Sequence, residues 1–385
     1  MAKPRKWLLV VVIGTIALTA LFSCCIGWHR ANRQTFDQPV PDPSPFAMAE
    51  PSKDEVARFE AADAYAEQAG GFALLVLRGD EIVFESYHNG YKQDSPHHLY
   101  SGTKSFACAL AAAAIADGIL RLDEPVADTL PEFRADPRKA RITVEQLLDF
   151  SSGLETSFRD LTLDGLLKPE RQRVRDKYAR SLELGLTSDP GARFVYGSSH
   201  LMVFGALMKA KLKSSPLAFL KRRVLDRIGF QYAGWAHDAS GNPALPYGVW
   251  TTARQWARFG VLLRDDGRFE GNVILPPGLL SRCRRPSPAM AGYGLTLWLN
   301  APMDPNTDIS GVPKRLMRMR GSERQLLDPG GPEDLFAAAG FDGQRLYVLP
   351  RANLVVVRLG TEDRTFRDCD FLGLLLRGAS SCVSR

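Results

Sequence analysis

The sequence predicts a mixed α/β fold (α+β) in which an antiparallel sheet is flanked by helices and interrupted by an inserted, mostly helical lobe. Apolar runs at 72–77 and 82–87 bracket the polar residues 78–81, a pattern typical of a β-hairpin. Helical and loop signals with repeated prolines follow, and strand-like runs return only later, at 293–299, 335–339, 345–349 and 354–359. The first and last strand groups therefore pair most simply in one antiparallel sheet.

These patterns divide the predicted folded domain, residues 51–385, into two lobes. The α/β lobe is predicted at 51–118 and 248–385, and the helical lobe at 119–247. A polar stretch at 300–327 is predicted as a loop near the site or a surface insertion. With 385 residues, 45% of them apolar, the chain is long enough for one large domain or two smaller ones.

The N-terminus carries a candidate export signal. Basic residues within 3–6 precede an apolar stretch at 7–26, which has about the length that spans a bilayer. This flanking charge predicts that the N-terminus stays in the cytoplasm and that the remainder lies at the periplasmic face of the inner membrane. Residues 1–28 are predicted as an uncleaved signal anchor, with a removable signal peptide or a lipoprotein site at 21–24 as alternatives.

A Pro-rich linker is predicted to follow, at residues 29–50. Four prolines alternate with other residues between positions 39 and 45, which favours a stiff, extended chain. Such a segment would hold the folded domain away from the membrane.

Cysteine, histidine and charge patterns favour some classes and count against others. A Cys369–Cys382 disulfide would staple the C-terminus in an oxidising compartment, whereas Cys108 is expected to be a small core residue. No Cys or His spacing is typical of a metal site, and no glycine loop is typical of a nucleotide site, so neither a metal nor a cofactor is predicted. The net charge of +6 includes arginine clusters without interleaved aromatic residues, so no nucleic-acid partner is expected.

The strongest chemical signal is the run at 100–106, which opens an apolar helix predicted at 107–116. Ser101 and Lys104 are three residues apart and so share one face of a helix. A helix that is apolar on every side is expected to be buried, and lysine is rarely buried without a partner or a task. The pattern places an amine beside a hydroxyl, which is one way in which a serine becomes a nucleophile.

Several later segments extend this signal in a fixed order. After the helix come 117–126, 142–154, 190–198 and 252–260. In order and spacing these segments resemble the serine β-lactamase-related hydrolases, a family that includes class C β-lactamases, D-alanyl-D-alanine peptidases, esterases and nylon-oligomer hydrolases. The resemblance covers about 72–358, and it implies a sheet flanked by helices, a mostly helical lobe and an active site between them.

The resemblance maps three family motifs onto this chain. Ser-x-x-Lys corresponds to Ser101 and Lys104, and the Tyr-x-Ser motif corresponds to Tyr196 and Ser198. The third motif, Lys-Thr-Gly or His-x-Gly, falls at 338–340. Ala338 stands there in place of the lysine or histidine, so a polar substrate-binding group is missing.

The resemblance also implies roles for these residues. Ser101 would attack a carbonyl to form an acyl-enzyme, with Lys104 and Tyr196 as the base pair. We expect the positive charge to favour a phenolate at Tyr196, but the sequence does not decide which group takes the serine proton. The backbone N–H groups of Ser101 and Phe341 are the expected oxyanion donors.

Two further residues receive supporting roles. Gly340 is expected to leave room for the substrate against the strand, and Ser198 is expected to orient the substrate or relay a proton.

The loss at Ala338 decides the predicted substrate. In the family's β-lactamases and peptidases, the lysine or histidine helps to bind a substrate carboxylate, and alanine cannot do this. A hydrolase acting on small ester, amide or peptide-like substrates is therefore predicted. The alternatives are a β-lactamase or D-alanyl-D-alanine peptidase acting on cell-wall-type substrates, and a non-catalytic binding or sensor protein.

Overall fold

A computed structural model describes residues 36–44, 46–162, 170–302, 327–361, 365–380 and 382. Its strands are β1 Ala47–Met48, β2 Gly71–Arg78, β3 Glu81–Tyr87, β4 His97–His98, β5 Gly234–Trp235, β6 Val249–Thr251, β7 Arg268–Phe269, β8 Asn272–Val273, β9 Trp298–Leu299, β10 Phe336–Ala339, β11 Arg345–Leu349 and β12 Leu354–Gly360. Its α-helices are α1 Lys53–Gln68, α2 Ser105–Ala116, α3 Val144–Leu148, α4 Phe158–Leu161, α5 Lys177–Leu182, α6 Ser199–Leu212, α7 Pro216–Leu220, α8 Ala253–Arg264 and α9 Asp368–Arg377.

The main sheet joins the two ends of the folded chain. Its strand order is β1-β3-β2-β12-β11-β10-β9, with β1 parallel to β3 and every other pair antiparallel. The hairpin β2–β3 therefore meets the C-terminal strands through β12, where Val76 lies opposite Val356. This confirms the predicted fold class, an antiparallel-rich sheet with helices.

Helices cover both faces of this sheet. Helix α8 packs so closely on one face that a Cβ at Gly260 would lie 2.5 Å from Val355. On the other face, the ring of Tyr347 stacks on that of Phe371 in α9, with centroids 5.7 Å apart. Because helices cover both faces of the sheet, β11 and the middle of β12 are buried on both sides.

Short elements fill the remainder of the described chain. The strands β4, β6 and β5 form a small second sheet, and β7 pairs with β8. Between 119 and 247 the described elements are helices and turns, apart from β5. A capping box of Thr143 and Gln146 begins α3, and another of Ser52 and Glu55 begins α1. Single turns of tighter or wider helix lie at Tyr100–Lys104, Val126–Asp128, Pro131–Phe133, Lys139–Arg141, Glu170–Gln172, Lys221–Leu225, Asp226–Ile228, Ser281–Arg284 and Phe341–Gly343.

The second half of the segment predicted as a linker packs against the folded domain. Val40 and Phe46 are buried, and β1 adds to the edge of the main sheet. Asp42 lies 3.4 Å from the buried guanidinium of Arg258. Because these contacts bury apolar side chains and pair a charge, this part of the 29–50 segment belongs to the domain instead of acting as a spacer.

The cysteine assignments are partly corrected. Cys369 and Cys382 form the expected disulfide. Cys108 is not a free core residue, because it is bonded to Cys283, 175 residues away in sequence. This second disulfide ties α2 to the turn at Ser281–Arg284.

The strand expected at 293–299 is shorter than predicted. Only Trp298–Leu299 is a strand, and Tyr293 instead forms an isolated bridge with Trp298. Thr296 has a positive φ of 64°, which turns the chain and prevents an extended strand there.

Two predicted segments fall largely or wholly outside the described residues. These are the anchor at 1–28 and most of the loop at 300–327. Among the helices that the structure does describe, none combines the length and apolar character needed to cross a membrane.

Candidate active site

Ser101 lies in a tight turn at Tyr100–Lys104 that leads directly into α2. The preceding residue, Leu99, donates its backbone N–H to Val249 at 2.9 Å, which fixes the turn to the second sheet. Tyr100 adopts a left-handed φ of 47°, a strained backbone for a residue with a side chain. The nucleophile candidate is therefore held by backbone contacts on both sides.

Lys104 is buried next to Ser101. Its Nζ lies 2.9 Å from the Ser101 Oγ and 2.9 Å from the carbonyl oxygen of Pro246, and the residue is 4% exposed. Burial away from water disfavours the ammonium form and lowers the pKa of Lys104 to about 7. A substantial fraction of this amine is therefore neutral near pH 7, and a neutral amine can accept a proton.

Tyr196 faces the same place from the helical lobe. Its ring centroid lies 5.1 Å from the Lys104 Nζ. Its buried hydroxyl lies near that of Ser101, which helps to lower the pKa of Tyr196, but no described residue meets it in full hydrogen-bonding geometry. A buried hydroxyl that is incompletely satisfied is costly and rare, so a reacting or binding role is favoured.

The expectation of a phenolate at Tyr196 is corrected. Burial raises the pKa of Tyr196 to about 12, and the nearby Ser101 hydroxyl and the Arg345 charge offset this only in part. Desolvation outweighs any help from Lys104, because a lysine with a pKa near 7 carries its charge only part of the time. The phenol therefore keeps its proton at neutral pH.

Sequence reasoning missed the histidine behind Tyr196. His200, in α6, bonds the Ser152 hydroxyl at 2.8 Å and the Val195 carbonyl at 2.7 Å. Burial lowers its pKa to about 4, so it is neutral and holds the backbone next to Tyr196. The available signal was its place in the run 196–200, only four residues after the tyrosine.

Ser198 is placed beside the site but is already engaged. It is 3% exposed, and its Oγ lies 2.7 Å from the Thr162 hydroxyl. Since Ser198 immediately precedes α6 and Thr162 follows α4, this contact joins the two helices beside Tyr196.

Strand β10 passes directly beside the Ser101 turn. A Cβ at Gly340 would lie 2.1 Å from the Leu99 carbonyl oxygen and 3.2 Å from the Gly102 nitrogen. Because Gly340 has no side chain, this turn can pack directly against the end of β10. The approach brings the backbone of Phe341 close to Ser101.

Phe341 and Ala338 give this edge an apolar character. The Phe341 side chain is 37% exposed, and its ring lies 5.7 Å from that of Tyr100. Ala338 is buried opposite Leu346 and presents no polar group. Within the described residues, no group of three or more His, Cys, Asp and Glu side chains is placed to hold a metal.

Comparisons with known proteins identify the family of this chain. A family model described as Beta-lactamase matches residues 56–373. The 6-aminohexanoate-dimer hydrolase of Paenarthrobacter ureafaciens is 24% identical over 75% of this chain and 72% of its own.

Solved structures share the fold. A Bacillus anthracis protein provisionally assigned as a 6-aminohexanoate-dimer hydrolase has a TM-score of 0.67 and 19% identity, covering 88% of each chain. A penicillin-binding protein homologue from Caulobacter crescentus has a TM-score of 0.63 and 15% identity, covering 89% of this chain and 99% of its own.

The match to the family model extends over most of the chain. The chain therefore belongs to the beta-lactamase family, and it is a serine hydrolase of that family.

Proposed function

We propose that this protein hydrolyses uncharged esters or amides through an acyl-enzyme on Ser101. The observation that carries the proposal is the 2.9 Å contact between the Ser101 Oγ and the buried Lys104 Nζ. Neutral Lys104 takes the proton of Ser101 as Oγ bonds to the substrate carbonyl carbon. The carbonyl oxygen becomes an oxyanion, for which the Ser101 and Phe341 N–H groups are the proposed donors.

Tyr196 has a different role from Lys104 in this scheme. With a pKa of about 12 it holds its proton at neutral pH, so it donates a hydrogen bond or a proton to the leaving group. As the carbon–leaving-group bond breaks, the leaving group receives the proton that Lys104 took from Ser101, either directly or through the Tyr196 hydroxyl, which is reprotonated by Lys104. A water molecule then attacks the acyl-enzyme and gives one proton to Lys104, and Lys104 passes that proton to the Ser101 Oγ as the bond between the acyl group and Oγ breaks.

The substrate preference follows from the walls of the site. Alanine at 338 offers no charge for a substrate carboxylate, and the ring of Phe341, which is 37% exposed and packs against Tyr100, offers an apolar surface. The Paenarthrobacter relative is named as a hydrolase of a 6-aminohexanoate dimer, which supports hydrolysis as the reaction. Neutral apolar esters or amides are therefore favoured over anionic β-lactams.

Export is proposed for the location of this activity. Two disulfides, Cys108–Cys283 and Cys369–Cys382, support an oxidising compartment such as the periplasm. The basic and apolar residues at 1–28 support attachment to the inner membrane.

Labelling with a fluorophosphonate tests the nucleophile. The probe is expected to modify one serine, Ser101, and Ser101→Ala should abolish the label without unfolding the protein. Ser95→Ala, a change on the loop before the site, should leave labelling unchanged. Peptide mapping that finds the label on another serine contradicts the assignment, and an unlabelled, folded protein favours the non-catalytic alternative.

The pH dependence of kcat/KM identifies the base. For a neutral nitrophenyl ester, kcat/KM should rise with pH through about 7 and then level off, because Lys104 must lose its proton to act. Lys104→Met should remove this rise and lower kcat by roughly 100-fold or more.

Tyr196→Phe distinguishes the two members of the proposed pair. It should lower the plateau of kcat/KM but keep the rise near pH 7, since Lys104 is unchanged. A rise that survives in Lys104→Met and disappears in Tyr196→Phe would reverse the roles.

The substrate ranking is checked with a short-chain nitrophenyl ester and a chromogenic cephalosporin. The ester should have the higher kcat/KM, because no charge at 338 meets the lactam carboxylate. Ala338→Lys should raise the lactam-to-ester ratio, and Ala338→Met, which adds a similar length without charge, should not. Efficient lactam turnover by the unchanged protein contradicts the ranking.

Membrane fractionation checks the location. The full-length chain should be found in the membrane fraction, and a chain that begins at Phe36 should be soluble, folded and active. Full-length protein that is free in the cytoplasm would refute the anchor.

A further inference from the structure

A buried arginine touches the peptide unit that carries the proposed oxyanion donor. Arg345, on β11, donates from Nη1 to the carbonyl oxygens of Gly340 and Gln344, each at 3.1 Å. Its Nε and Nη2 donate to the carboxylate of Asp368 at 2.6 and 3.0 Å. The Tyr347 hydroxyl donates to the same carboxylate at 2.6 Å.

The geometry of the peptide bond connects this contact to the site. The Gly340 carbonyl and the Phe341 N–H belong to one planar peptide unit, and in a trans peptide they point in opposite directions. None of the peptide bonds in the described residues is cis. A donor that fixes the Gly340 carbonyl therefore also fixes the direction of the Phe341 N–H.

We propose that Arg345 is a positioning residue that aims and strengthens the Phe341 N–H as an oxyanion donor. This inference rests on the proposed function. A cation bonded to the carbonyl end of a peptide draws electron density from its N–H end, so the N–H becomes a stronger donor. Arg345 acts through the peptide and does not touch the substrate itself.

Asp368 holds the charged guanidinium of Arg345 in a fixed position. Although burial alone would raise the pKa of Asp368, the attraction of Arg345 holds it below its usual value, so the pair stays ionised. Asp368 lies in the first turn of α9, where the helix dipole favours a negative charge. Its neighbour Cys369 is bonded to Cys382. Helix α9 thus fixes Arg345 through Asp368, and Arg345 in turn fixes the peptide between Gly340 and Phe341.

Arginine suits this task better than lysine. Its planar fork makes a two-point contact with a carboxylate and still has donors for two carbonyl oxygens. Lysine has one nitrogen and cannot span both sides in a fixed geometry. Arg345→Lys therefore keeps the charge while loosening the peptide, which makes it the informative change.

The chain supplies a matched control. Arg358 lies directly opposite Arg345 in the β11–β12 register and is also buried. It donates to the Gly343 carbonyl at 2.9 Å and to the Ala69 carbonyl at 2.5 Å, and not to the Gly340 carbonyl. Arg358→Lys therefore disturbs a similar buried arginine without touching the 340–341 peptide.

The experiment compares kcat and KM for a neutral nitrophenyl ester and the affinity for a phenylboronic acid, whose tetrahedral adduct mimics the oxyanion. Loss of one oxyanion donor costs about 100- to 1000-fold in kcat. For a loosened donor we expect Arg345→Lys to lower kcat by roughly 10- to 100-fold with KM little changed, and to weaken boronate binding by a similar factor. Arg358→Lys should change kcat by less than about 3-fold.

A spectroscopic signature separates positioning from general damage. A hydrogen bond to the acyl carbonyl lowers its infrared stretching frequency, so the acyl-enzyme band should shift to higher frequency in Arg345→Lys and not in Arg358→Lys. If Arg345→Lys does not fold, Asp368→Asn, which frees the guanidinium, should show a smaller shift and loss of kcat in the same directions.

Two results overturn the inference. One is a folded Arg345→Lys, or a folded Asp368→Asn in its place, with unchanged kcat and carbonyl frequency. The other is an equal loss of kcat in Arg358→Lys. The proposed function fails separately, if the unchanged protein is not labelled at Ser101 by the fluorophosphonate.

Discussion

The removal of the Lys104 amine from water is the constraint on which the site depends. Helix α2 is buried over ten consecutive residues, 105–114, so the side chain that opens it has little access to solvent. The contacts of its Nζ are neutral oxygens from Ser101 and Pro246. Since no carboxylate among the described residues pairs with the ammonium form, desolvation decides the pKa and brings it to about 7. Burial also raises the pKa of Tyr196, so near neutral pH the phenol keeps its proton while part of the Lys104 amine is neutral.

Close backbone approach is the second requirement. Strand β10 reaches the Ser101 turn because Gly340 has no side chain, and Gly102 leaves room for Trp256, whose ring would lie 2.8 Å from a Cβ there. Both glycines stand where two elements meet, so each sets the distance between the nucleophile and a neighbour. The Cys108–Cys283 disulfide adds a covalent tie between α2 and the segment that leads into β9. The position of Ser101 is thus set by the packing of the whole domain.

The departure from the family pattern at Ala338 changes the electrostatics of the site and leaves its framework intact. Ala338 keeps its place in the β10–β11 register opposite Leu346, so the strand still reaches Ser101. Position 338 carries no charge. The buried cation on the neighbouring strand β11, Arg345, already bonds to Asp368 and to backbone carbonyls. In the proposed function, this lack of charge at 338 is what favours neutral substrates over anionic ones.

The sequence alone determined the features that depend on short spacing. Ser101 and Lys104 share a turn because they are three residues apart, and the hairpin β2–β3 follows from two apolar runs around a polar turn. The order of later motifs indicated the family, and the strand-like runs near both ends of the domain predicted that the first and last strands pair. Because the local geometry of the chain determines these features, they can be predicted from a short stretch of sequence.

Only the tertiary structure decided the features that depend on burial and on distant partners. Cys108 meets Cys283 across 175 residues, and Arg258 meets Asp42 from a segment expected to be a spacer. The proton state of Tyr196 was expected wrongly, because a sequence shows which charges are present but not how far they are removed from water. Desolvation and long-range contact are properties of the packed chain, so no window of sequence contains them.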